Sequence, residues 1–581
     1  MRMTKIVCTL GPAVDDDKMV EQLILNGMDV ARLNFSHGTH AEHQVRVDRV
    51  KRVREKLGIP IPLLIDTKGP EIRLGKFEKG EVTLETGNEF VLVNEDILGD
   101  EKKASISHKE LYKDVKVGTR ILINDGLVAI EVTKIVDKDI YCKILNGGAI
   151  SNNKGVNIPE TDTHLPAITE QDISDIKFAV ENGFDLIACS FIRKASNVTE
   201  IKKLLKKFGG EHIKVIPKIE NREGVNNFDE ILKVADGIMV ARGDLGVEIP
   251  AEEVPIVQKM IIEKCYKNGK PVITATQMLD SMIKNPRPTR AESSDVANAI
   301  YDGTSAIMLS GESAAGKYPI ESVKTMARIA LTTEKAINYG KLLKTMEFDM
   351  MGSITNAISY ATCSTALQLN AAAIISVTHS GETAKMISRF RPNCPIIAPT
   401  DSEVVHRQLS LSWGVIPCKV EKVGSMEEMF DIGVKKALEF GLVKNGDVVV
   451  ITAGVPAGVS GTTNLLKVHT VGNILVKGSG IGKGKFTGKM CVCKTLDDVE
   501  KNFSDGDILV VENTNNAMIP YLKNAAAIIV EEPEMDGHAV TVGLTLDIPV
   551  IVGAHNALEI LKSGRLVTVD SNNGLVLNDN I

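Results

Sequence analysis

The sequence predicts an α/β protein built on a (β/α)8, or TIM, barrel, with an inserted β-barrel domain, an open α/β C-domain and an extra C-terminal α/β domain. Three observations support this prediction. Eight continuous apolar runs alternate with helical patterns in the first part of the 581-residue chain, short alternating strands interrupt the third unit, and an α/β pattern resumes after the eighth. Continuous apolar strands separated by helices indicate a parallel sheet that is covered by helices.

The barrel is predicted from eight strand candidates and the helices between them. A periodic helix candidate follows each strand except the third, and eight such units over roughly 250 residues match the size of a barrel. We expect the barrel to comprise residues 1–68 and 167–340. The strand candidates are Lys5–Leu10, Val30–Asn34, Leu63–Asp66, Leu186–Phe191, Lys214–Ile219, Gly237–Ala241, Pro271–Ala275 and Ala306–Leu309.

The pattern changes after Asp66, where strands with period-two alternation are separated by Gly and Asn turns. This indicates a small β-barrel inserted after the third strand, over residues 69–166. Its strand candidates are Glu81–Leu84, Phe90–Val93, Arg120–Ile123, Val128–Val132 and Ile140–Ile144.

Two further α/β regions follow the barrel. Alternating helices and strands over residues 341–474 predict an open α/β domain, and residues 475–581 predict a separately folded domain that is too apolar to be disordered. The segment Gly478–Gly488 contains five glycines among Lys and Ser residues, which predicts a flexible linker at the entry to the last domain.

The composition is that of an ordinary globular protein, with 43% hydrophobic residues, 25% charged residues and a net charge of −7. Interspersed acids and bases disfavour a nucleic-acid-binding protein, which needs a concentrated basic face, whereas a small anion needs only a local cationic pocket. The nine cysteines form no CxxC pair, which is typical of reduced cytosolic thiols. No apolar run reaches membrane-spanning length and no signal-peptide pattern is present, so we expect a cytoplasmic protein that binds neither nucleic acid nor membrane.

Polar side chains follow nearly every predicted barrel strand, at the end where barrel enzymes place catalysis. Glu220 and Asp244 follow neighbouring strands, and two carboxylates would leave room for water and substrate oxygens on a Mg²⁺ ion. Arg32, Arg73 and Lys218 supply positive charge for a phosphoryl group, so the pattern indicates phosphoryl transfer. Solvated surface charges are the alternative explanation, but convergence at so many strand ends argues against it. The remaining strand-end groups are Asn34, Ser36, His37, Asp66, Thr67, Lys68, Glu71, Ser190, Arg193, Arg242, Gly243, Thr276, Gln277, Ser310, Gly311 and Glu312.

Several long motifs at these positions resemble the pyruvate kinase family, and the resemblance extends from the N-terminus to about residue 471. The inserted β-domain and the second α/β region also fit that family's architecture. The motifs are Thr4–Pro12, Ala31–Gly38, Asp66–Arg73, Pro217–Asn221, Met239–Gly246, Ala275–Leu279 and Pro286–Glu292.

The resemblance implies a role for each matching residue. Lys218, Arg32 and Thr276 would be catalytic, and together with Gly243 and Asp244 they would bind phosphoenolpyruvate. Glu220 and Asp244 would hold Mg²⁺ or Mn²⁺. The other implied ligand sets are Asn34, Ser36, Asp66 and Thr67 for K⁺, and Asn34, His37, Arg73 and Lys154 for the nucleotide.

The same resemblance implies ADP as the second substrate, dependence on potassium from Glu71, and a homotetramer. Closure of the inserted domain over the mouth would exclude water, as active-site lids do. It also implies a site for a phosphorylated activator at Thr378, Ser380 and Thr383, assisted by the loop Gly458–Thr463. Hydroxyl groups at a helix N-terminus bind anions. The alternative is plain helix capping by Ser380 or Thr383.

Two other motifs receive a weaker interpretation. Gly311–Tyr318 nearly matches a P-loop, but Tyr318 replaces the Ser or Thr that would meet Mg²⁺, so we interpret it as the eighth barrel loop. The C-terminal extension is similar to the phosphohistidine domain of phosphoenolpyruvate-utilising enzymes. Asp536 and Gly537 precede His538 where those enzymes have Thr-Ser, which favours a structural role over phosphorylation.

Three other functions stay open at this point. A phosphoenolpyruvate or pyruvate lyase or carboxylase barrel would also use Mg²⁺ and acidic strand ends, but Arg32–His37, Asp66–Arg73 and the insertion argue against it. An inactive regulatory protein is disfavoured because every key position carries competent chemistry. A phosphotransfer protein acting through His538 is disfavoured by the residues that precede it.

Overall fold

The computed structural model describes residues 1–159, 161, 163–345, 353–421, 426–444, 446–454, 463–482 and 484–578. The chain divides into two compact units. The first comprises residues 1–360, 378–422 and 454–463, and the second comprises residues 361–377, 423–453 and 464–581.

Eight parallel strands in the first unit form a closed barrel in sequential order, as predicted. The fourth strand ends two residues earlier than predicted because Phe191 has a left-handed backbone with φ 54°, which no strand accommodates. Barrel strands 1 to 8 are Lys5–Thr9, Val30–Asn34, Leu63–Asp66, Leu186–Cys189, Lys214–Ile219, Ile238–Ala241, Val272–Ala275 and Ala306–Leu309.

The register of the barrel strands sets the position of the predicted site. Arg32 on strand 2 is level with Thr9 on strand 1, and Asn34 is level with Asp66 on strand 3. Below them the barrel is filled by buried apolar side chains such as Met239. The polar residues therefore lie together at the carboxyl ends of the strands, above an apolar core.

Helices surround the barrel, and three of them begin with a capping box in which Thr39, Thr169 or Thr289 pairs with an acid three residues later. These boxes fix where the chain enters each helix. The helices are Asp17–Leu25, His40–Leu57, Glu170–Glu181, Ala195–Phe208, Arg222–Asn226, Phe228–Val234, Arg242–Glu248, Val254–Lys267, Arg290–Tyr301, Gly311–Ala314, Pro319–Ala336 and Tyr339–Thr345.

The insertion after strand 3 is an all-β domain with its own core, as predicted, and it contains one short helix, Leu111–Asp114. It consists of a seven-stranded sheet and a two-stranded sheet. Its strands are Ile72–Arg73, Glu81–Leu84, Glu89–Val93, Lys103–Ser105, Arg120–Ile123, Val128–Val136, Asp139–Asn146, Gly148–Ser151 and Gly155–Asn157.

Helices and strands alternate after the barrel, in agreement with the predicted α/β pattern. In the first unit Ile396–Thr400 pairs in parallel with Val415–Lys419, and in the second unit Ala373–Ser376 pairs in parallel with Val448–Gly454. The remaining elements of this region are Ile354–Gln368, Glu382–Ser388, Glu403–Gln408, Met426–Glu439 and Thr463–Thr470.

The C-terminal region of the second unit forms a separate mixed sheet of eight strands. Its strands are Asn473–Lys477, Ser479–Ile481, Lys485–Val492, Ile508–Val511, Ala527–Val530, Val550–Val552, Leu566–Asp570 and Leu575–Asn578. Its helices are Leu496–Asn502, Ile519–Leu522, His538–Leu546 and Ala557–Ile560.

The predicted flexible linker over Gly478–Gly488 is wrong. These glycines lie in or beside the strands Ser479–Ile481 and Lys485–Val492. They are needed for close packing, because a Cβ atom on Gly480 would lie 1.9 Å from the carbonyl oxygen of Ser571. Across the described parts of the chain, no helix combines the length and apolarity needed to traverse a lipid bilayer.

Candidate active site

A cavity of about 700 Å³ opens at the carboxyl ends of the barrel strands. The predicted residues that line it are Arg32, Asn34, Ser36, His37, Asp66, Lys68, Glu71, Arg73, Ser190, Lys218, Glu220, Asp244, Thr276, Ser310 and Gly311. Gly243 and Thr67 do not line the cavity themselves. They form hydrogen bonds with Thr276 and Ser190, respectively, and both of these residues line it. Lys154 lies in a second cavity instead.

Two cations and two carboxylates form a buried network at the centre of the cavity. The Arg32 Nε donates to Asp66 Oδ2 at 2.7 Å, and its Nη1 donates to Thr9 Oγ1 at 2.7 Å. The Lys218 Nζ lies 3.1 Å from Asp66 Oδ1 and 2.8 Å from Glu220 Oε1. Asp66 therefore bridges the two cations and fixes the direction in which each one points.

The charges in this network change one another's pKa. Burial raises the pKa of Asp66, but Arg32 and Lys218 overcome this effect and hold it below its usual value. Burial opposes the charge on Lys218, yet the carboxylates of Asp66 and Glu220 raise its pKa. Lys218 is thus a permanent cation whose side chain is largely buried, where a charge acts strongly.

Glu220 and Asp244 form the acidic side of the same cavity. Burial is the main cause that raises the pKa of Glu220 to about 7, and the charge of nearby Asp244 adds to it. Burial likewise raises the pKa of Asp244. Two buried carboxylates that repel each other favour the binding of a cation, because its charge offsets both the cost of burying them and their mutual repulsion.

The donor set fits a hard divalent cation. The Oε2 of Glu220 accepts from the backbone N–H of Phe191 at 2.5 Å, whereas its buried Oε1 has no aligned hydrogen bond within the described structure, although Lys218 is at ion-pair distance. That oxygen and Asp244 are hard ligands of the kind that Mg²⁺ prefers. No group of three or more His, Cys, Asp or Glu side chains suited to a metal occurs among the described residues.

Thr276 at the end of strand 7 is held in an unusual backbone conformation. Its φ is 69°, which is costly for a β-branched residue, and the conformation of Gln277 is also left-handed. The Thr276 Oγ1 donates to the carbonyl of Ala275 at 2.6 Å and accepts from Gly243 N–H at 2.7 Å. The strain is offset by these bonds, which aim the hydroxyl at the cavity beside Asp244.

The four predicted potassium ligands lie close in the fold, with differing access to the cavity. Asn34, Ser36 and Asp66 line it, and Asn34 Oδ1 accepts from the Ser36 N–H at 3.1 Å. Thr67 is buried behind them, where its Oγ1 accepts from Ser190 N–H at 3.3 Å and its carbonyl from Ser190 Oγ at 2.5 Å. Oxygen atoms dominate this set, as a hard monovalent cation requires.

A second cavity of about 710 Å³ lies between the insertion and the barrel. Lys154 and Arg73 line it, and Arg73 forms an ion pair with Glu71 at 2.6 Å. Asn157 of the insertion donates to Glu248 Oε1 of the barrel at 2.8 Å on one wall. Asp244, Glu71 and Arg73 line both cavities, so the two spaces adjoin beside Asp244.

Two residues that support the site were not predicted as members of it. Thr9 accepts from Arg32, and Phe191 donates its backbone N–H to Glu220. Ser190, which was predicted as a strand-end group, accepts from Lys218 Nζ at 2.9 Å. Thr9 could have been found as a strand-end hydroxyl. Nothing in the sequence signals the Phe191 N–H, since it depends on a left-handed backbone at a non-glycine residue.

The predicted effector residues lie near one another at the start of helix Glu382–Ser388. Thr378 and Thr383 are buried, and Ser380 is exposed. The N-cap of this helix is Gly381, with φ 82°, so neither Ser380 nor Thr383 occupies the capping position. Thr378 Oγ1 accepts from the Gly381 N–H at 2.9 Å. In the loop Gly458–Thr463, residues 458–462 lie outside the described residues.

The P-loop-like segment and His538 both have structural partners. A Cβ atom on Gly316 would lie 2.6 Å from the carbonyl of Glu312, so this loop packs against itself and leaves no cradle. In the C-terminal domain His538 Nδ1 lies 2.8 Å from Thr514 Oγ1, and its Nε2 lies 3.1 Å from Asn516 Oδ1. Both ring nitrogens of His538 are therefore engaged.

Comparison with known proteins agrees with this architecture. Residues 1–323 match the model of the pyruvate kinase barrel domain, residues 356–469 match its alpha/beta domain, and residues 503–574 match the mobile domain of PEP-utilising enzymes. The chain is 51% identical to the pyruvate kinase of Sporosarcina psychrophila over 580 residues, covering 100% of this chain and 99% of the relative. It is 51% identical to that of Geobacillus stearothermophilus over 578 residues, covering 99% and 98%.

These comparisons confirm the resemblance in both the barrel and the C-terminal extension. The match covers the whole length of this chain, and the cations and carboxylates at the barrel mouth suit a phosphoryl-transfer site. The chain therefore belongs to the pyruvate kinase family of phosphotransferases.

Proposed function

We propose that this chain transfers the phosphoryl group of phosphoenolpyruvate to ADP, giving pyruvate and ATP. The observation that carries the proposal is the juxtaposition of Lys218 with Glu220 and Asp66 at the barrel mouth. It supplies a fixed cation beside Glu220, one of the two carboxylates that we assign to the divalent metal. Phosphoryl transfer depends mainly on such positioning and charge.

Arg32 and Lys218 act on the phosphoryl group and on the leaving enolate. Arg32 is held by Asp66 and Thr9, so its remaining N–H groups are pre-oriented toward the cavity. Lys218 stabilises negative charge that grows on the enolate oxygen as the P–O bond breaks. Ser190 keeps the ammonium in place through its hydroxyl.

Glu220 and Asp244 would hold Mg²⁺, or Mn²⁺ in its place, and that ion would supply positive charge to neutralise the anionic substrate. Asn34, Ser36, Asp66 and Thr67 would hold K⁺. The high pKa of Glu220, about 7, supports this assignment, because the carboxylate gains its charge when a cation is present.

Thr276 and Gly243 position the other side of the substrate. The Thr276 hydroxyl lies beside Asp244 in the cavity and faces the region where the enolate carbon is protonated. Its hydrogen bond from Gly243 N–H holds the first turn of helix Arg242–Glu248, which has no side chain at this position, close to the anion. Thr276 thereby orients the enolate for proton delivery to its methylene carbon.

ADP occupies the second cavity, with its phosphates toward Arg73 and Lys154 and with Asn34 and His37 on the substrate side. The inserted domain covers this space and excludes water during transfer. The contact of Asn157 with Glu248 supports a covering role.

Regulation and assembly follow from the family. We assign a phosphorylated activator to Thr378, Ser380 and Thr383, a homotetramer to the assembly and the cytoplasm to the location. The domain limits are residues 1–68 with 167–340 for the barrel, 69–166 for the lid, 341–474 for the regulatory domain and 475–581 for the extension.

A coupled assay of ADP-dependent pyruvate formation tests the proposal. Turnover should require Mg²⁺ or Mn²⁺ and should fall when K⁺ is replaced by a bulky organic cation. Pyruvate formed without ADP would instead indicate a lyase or carboxylase, and no turnover would indicate an inactive regulatory protein. Phosphate on His538 after incubation with phosphoenolpyruvate would indicate a phosphotransfer role for the extension.

A further inference from the structure

Arg242 connects the ends of two neighbouring barrel strands. It directly follows strand 6 and begins helix Arg242–Glu248. Its side chain, which is 11% exposed, extends to the end of strand 7. There its Nε donates to the carbonyl of Ala275 at 3.3 Å, and its Nη2 donates to the carbonyl of Thr276 at 2.8 Å. No step of the reaction proposed above uses this side chain.

These two hydrogen bonds restrain the backbone conformation of Thr276. The carbonyl of Ala275 belongs to the peptide plane before Thr276, and the carbonyl of Thr276 belongs to the plane after it. Since φ and ψ of a residue are the rotations that relate those two planes, a guanidinium that binds both carbonyls restricts both angles. Thr276 needs such support, because its φ of 69° is costly for a β-branched residue.

Asp295 holds the guanidinium in the orientation that this contact requires. It lies on helix Arg290–Tyr301, and its Oδ1 and Oδ2 accept from Nη1 and Nη2 of Arg242, each at 2.7 Å. Gln258 accepts from the same Nη1 at 3.3 Å. Two parallel charge-assisted bonds are stronger than neutral bonds, and they also set the plane of the guanidinium. The remaining N–H groups are therefore directed at the end of strand 7.

The conformation of Thr276 decides where its hydroxyl points. The Oγ1 accepts from the Gly243 N–H at 2.7 Å, and Thr276 lines the mouth cavity together with Asp244. A rotation of the Thr276 backbone would carry the hydroxyl away from Gly243, because the side chain is attached to the Cα atom between the two peptide planes. Arg242 and Asp295 are both described by the structure and do not line that cavity. They can act on a substrate there only through the residues that they hold.

We propose that Arg242 and Asp295 are positioning residues for the reaction. Their ion pair keeps Thr276 in its left-handed conformation, and so keeps its hydroxyl directed at the region where the enolate is protonated. This role rests on the phosphoryl transfer proposed above. Loss of the pair should slow turnover with little change in the affinity for phosphoenolpyruvate, since the cations that would bind its phosphate are held by a separate network around Asp66.

Asp295→Asn is the first variant to test. It removes the charge but keeps the size of a side chain that is 35% exposed, so the fold should tolerate the change. We expect kcat to fall about tenfold, a usual cost of losing a group that orients a reacting side chain, while KM for phosphoenolpyruvate stays within about twofold of wild type. Arg242→Lys should behave similarly, because an ammonium keeps the charge but cannot bind a carboxylate and two carbonyls in one plane.

Asp17→Asn provides the matched control. Asp17 also accepts two bonds from one arginine, because Nε and Nη2 of Arg52 lie 2.8 and 2.7 Å from its two carboxylate oxygens. That pair joins two helices on the outside of the barrel and is exposed. Its loss should leave kcat and KM unchanged. Rates are compared per folded enzyme, with the melting temperature measured for each variant.

A double variant tests whether the pair acts through the Thr276 hydroxyl. In a Thr276→Ala background that hydroxyl is already absent, so adding Asp295→Asn should lower kcat by a further factor of less than about two. Fully additive losses would overturn the role, as would unchanged kcat in both Asp295→Asn and Arg242→Lys. A fall in activity that only follows a loss of folded protein would also overturn it.

Amide hydrogen exchange gives a measurement that does not depend on the reaction. Without substrate, exchange in the turn after strand 7, residues 276–280, should be faster in Asp295→Asn than in wild type and unchanged in Asp17→Asn. Equal exchange in all three proteins would overturn the positioning role. If the wild type forms no pyruvate in the presence of ADP but exchange still differs as expected, the proposed reaction is wrong and the support of Thr276 by the ion pair stands.

Discussion

The ammonium of Lys218 lies 2.8 Å from the Oε1 of Glu220, the oxygen that has no aligned hydrogen bond. This relationship places the cation that would stabilise the enolate directly beside one of the two carboxylates that are proposed to hold the divalent metal. Each group raises the charged fraction of the other, because Glu220 raises the pKa of Lys218 and Lys218 opposes the effect of burial on Glu220. The two residues therefore act as a unit, and changes at either should affect turnover more than folding.

Lys218→Met should abolish turnover while phosphoenolpyruvate still binds. The change removes the ammonium that stabilises the enolate, and we expect kcat to fall by roughly 10³-fold or more. Arg32 keeps its bonds to Asp66 and Thr9, so substrate binding should remain detectable by calorimetry. Lys284→Met, at an exposed position, is the control. Near-normal turnover of Lys218→Met would disprove the role.

Thr276→Ala should lower kcat, and Thr276→Ser should restore it. The alanine variant leaves the Gly243 N–H without its acceptor at 2.7 Å, whereas serine retains the hydroxyl. We expect a loss of about tenfold for alanine, the usual cost of a buried group left unpaired. Proton exchange into pyruvate, followed by NMR, should slow in parallel. A serine variant as impaired as alanine would show that the methyl group, and not the hydroxyl, matters.

The sequence predicted the barrel well because its signals are local. Buried parallel strands appear in the sequence as continuous apolar runs. The residues that follow each run are polar because the carboxyl ends of the strands form the mouth of the barrel. Glu220, Asp244, Arg32 and Lys218 could thus be placed together before the structure was known. Capping boxes at Thr39 and Thr169 also mark helix starts directly.

Other features depend on long-range packing and could not be predicted. The glycines near residue 480 suggested a flexible linker, since a glycine-rich segment looks the same whether it is mobile or packed against a backbone. Only the approach of Ser571 to Gly480 separates the two cases. The N–H of Phe191 reaches Glu220 because of a left-handed backbone that Phe rarely adopts.

Asn157→Ala should weaken the use of ADP more than the binding of phosphoenolpyruvate. Its side chain connects the insertion to Glu248 at 2.8 Å, and this is a contact between the lid and the barrel. We expect KM for ADP to rise about tenfold, in line with the loss of one partly buried hydrogen bond. Steady-state kinetics with each substrate varied will measure this effect.

The partner residue provides the control for that experiment. Glu248→Gln keeps an oxygen acceptor for Asn157 and should behave nearly as wild type, whereas Glu248→Ala should resemble Asn157→Ala. The double alanine variant should be no worse than either single variant, because both lose the same contact. If the effects of the two alanine substitutions on KM for ADP were fully additive, they would contradict a direct functional contact between Asn157 and Glu248.

Arg407→Gln should destabilise the first unit in a pH-dependent manner. Asp185 is fully buried, and its Oδ1 accepts from the Arg407 Nε at 2.8 Å while its Oδ2 accepts from the Leu63 N–H at 3.0 Å. Burial raises the pKa of Asp185, and the charge of Arg407 opposes that rise. A raised pKa means that the folded state retains the proton up to a higher pH than the unfolded state does. Asp185 therefore favours folding least when the pH is above its folded pKa.

Loss of Arg407 raises the pKa of Asp185 further, so the penalty should grow as the pH rises above about 4, where the unfolded carboxyl ionises. The melting temperature of Arg407→Gln should be close to that of wild type at pH 5 and clearly lower at pH 8, where breaking a buried pair costs about 3 kcal/mol. Scanning calorimetry at both pH values measures the difference. Adding Asp185→Asn removes the titrating group. The difference in melting temperature between the double variant and wild type should therefore grow much less with pH. If Arg407→Gln lowers the melting temperature equally at pH 5 and pH 8, the guanidinium acts on Asp185 through packing and not through its charge.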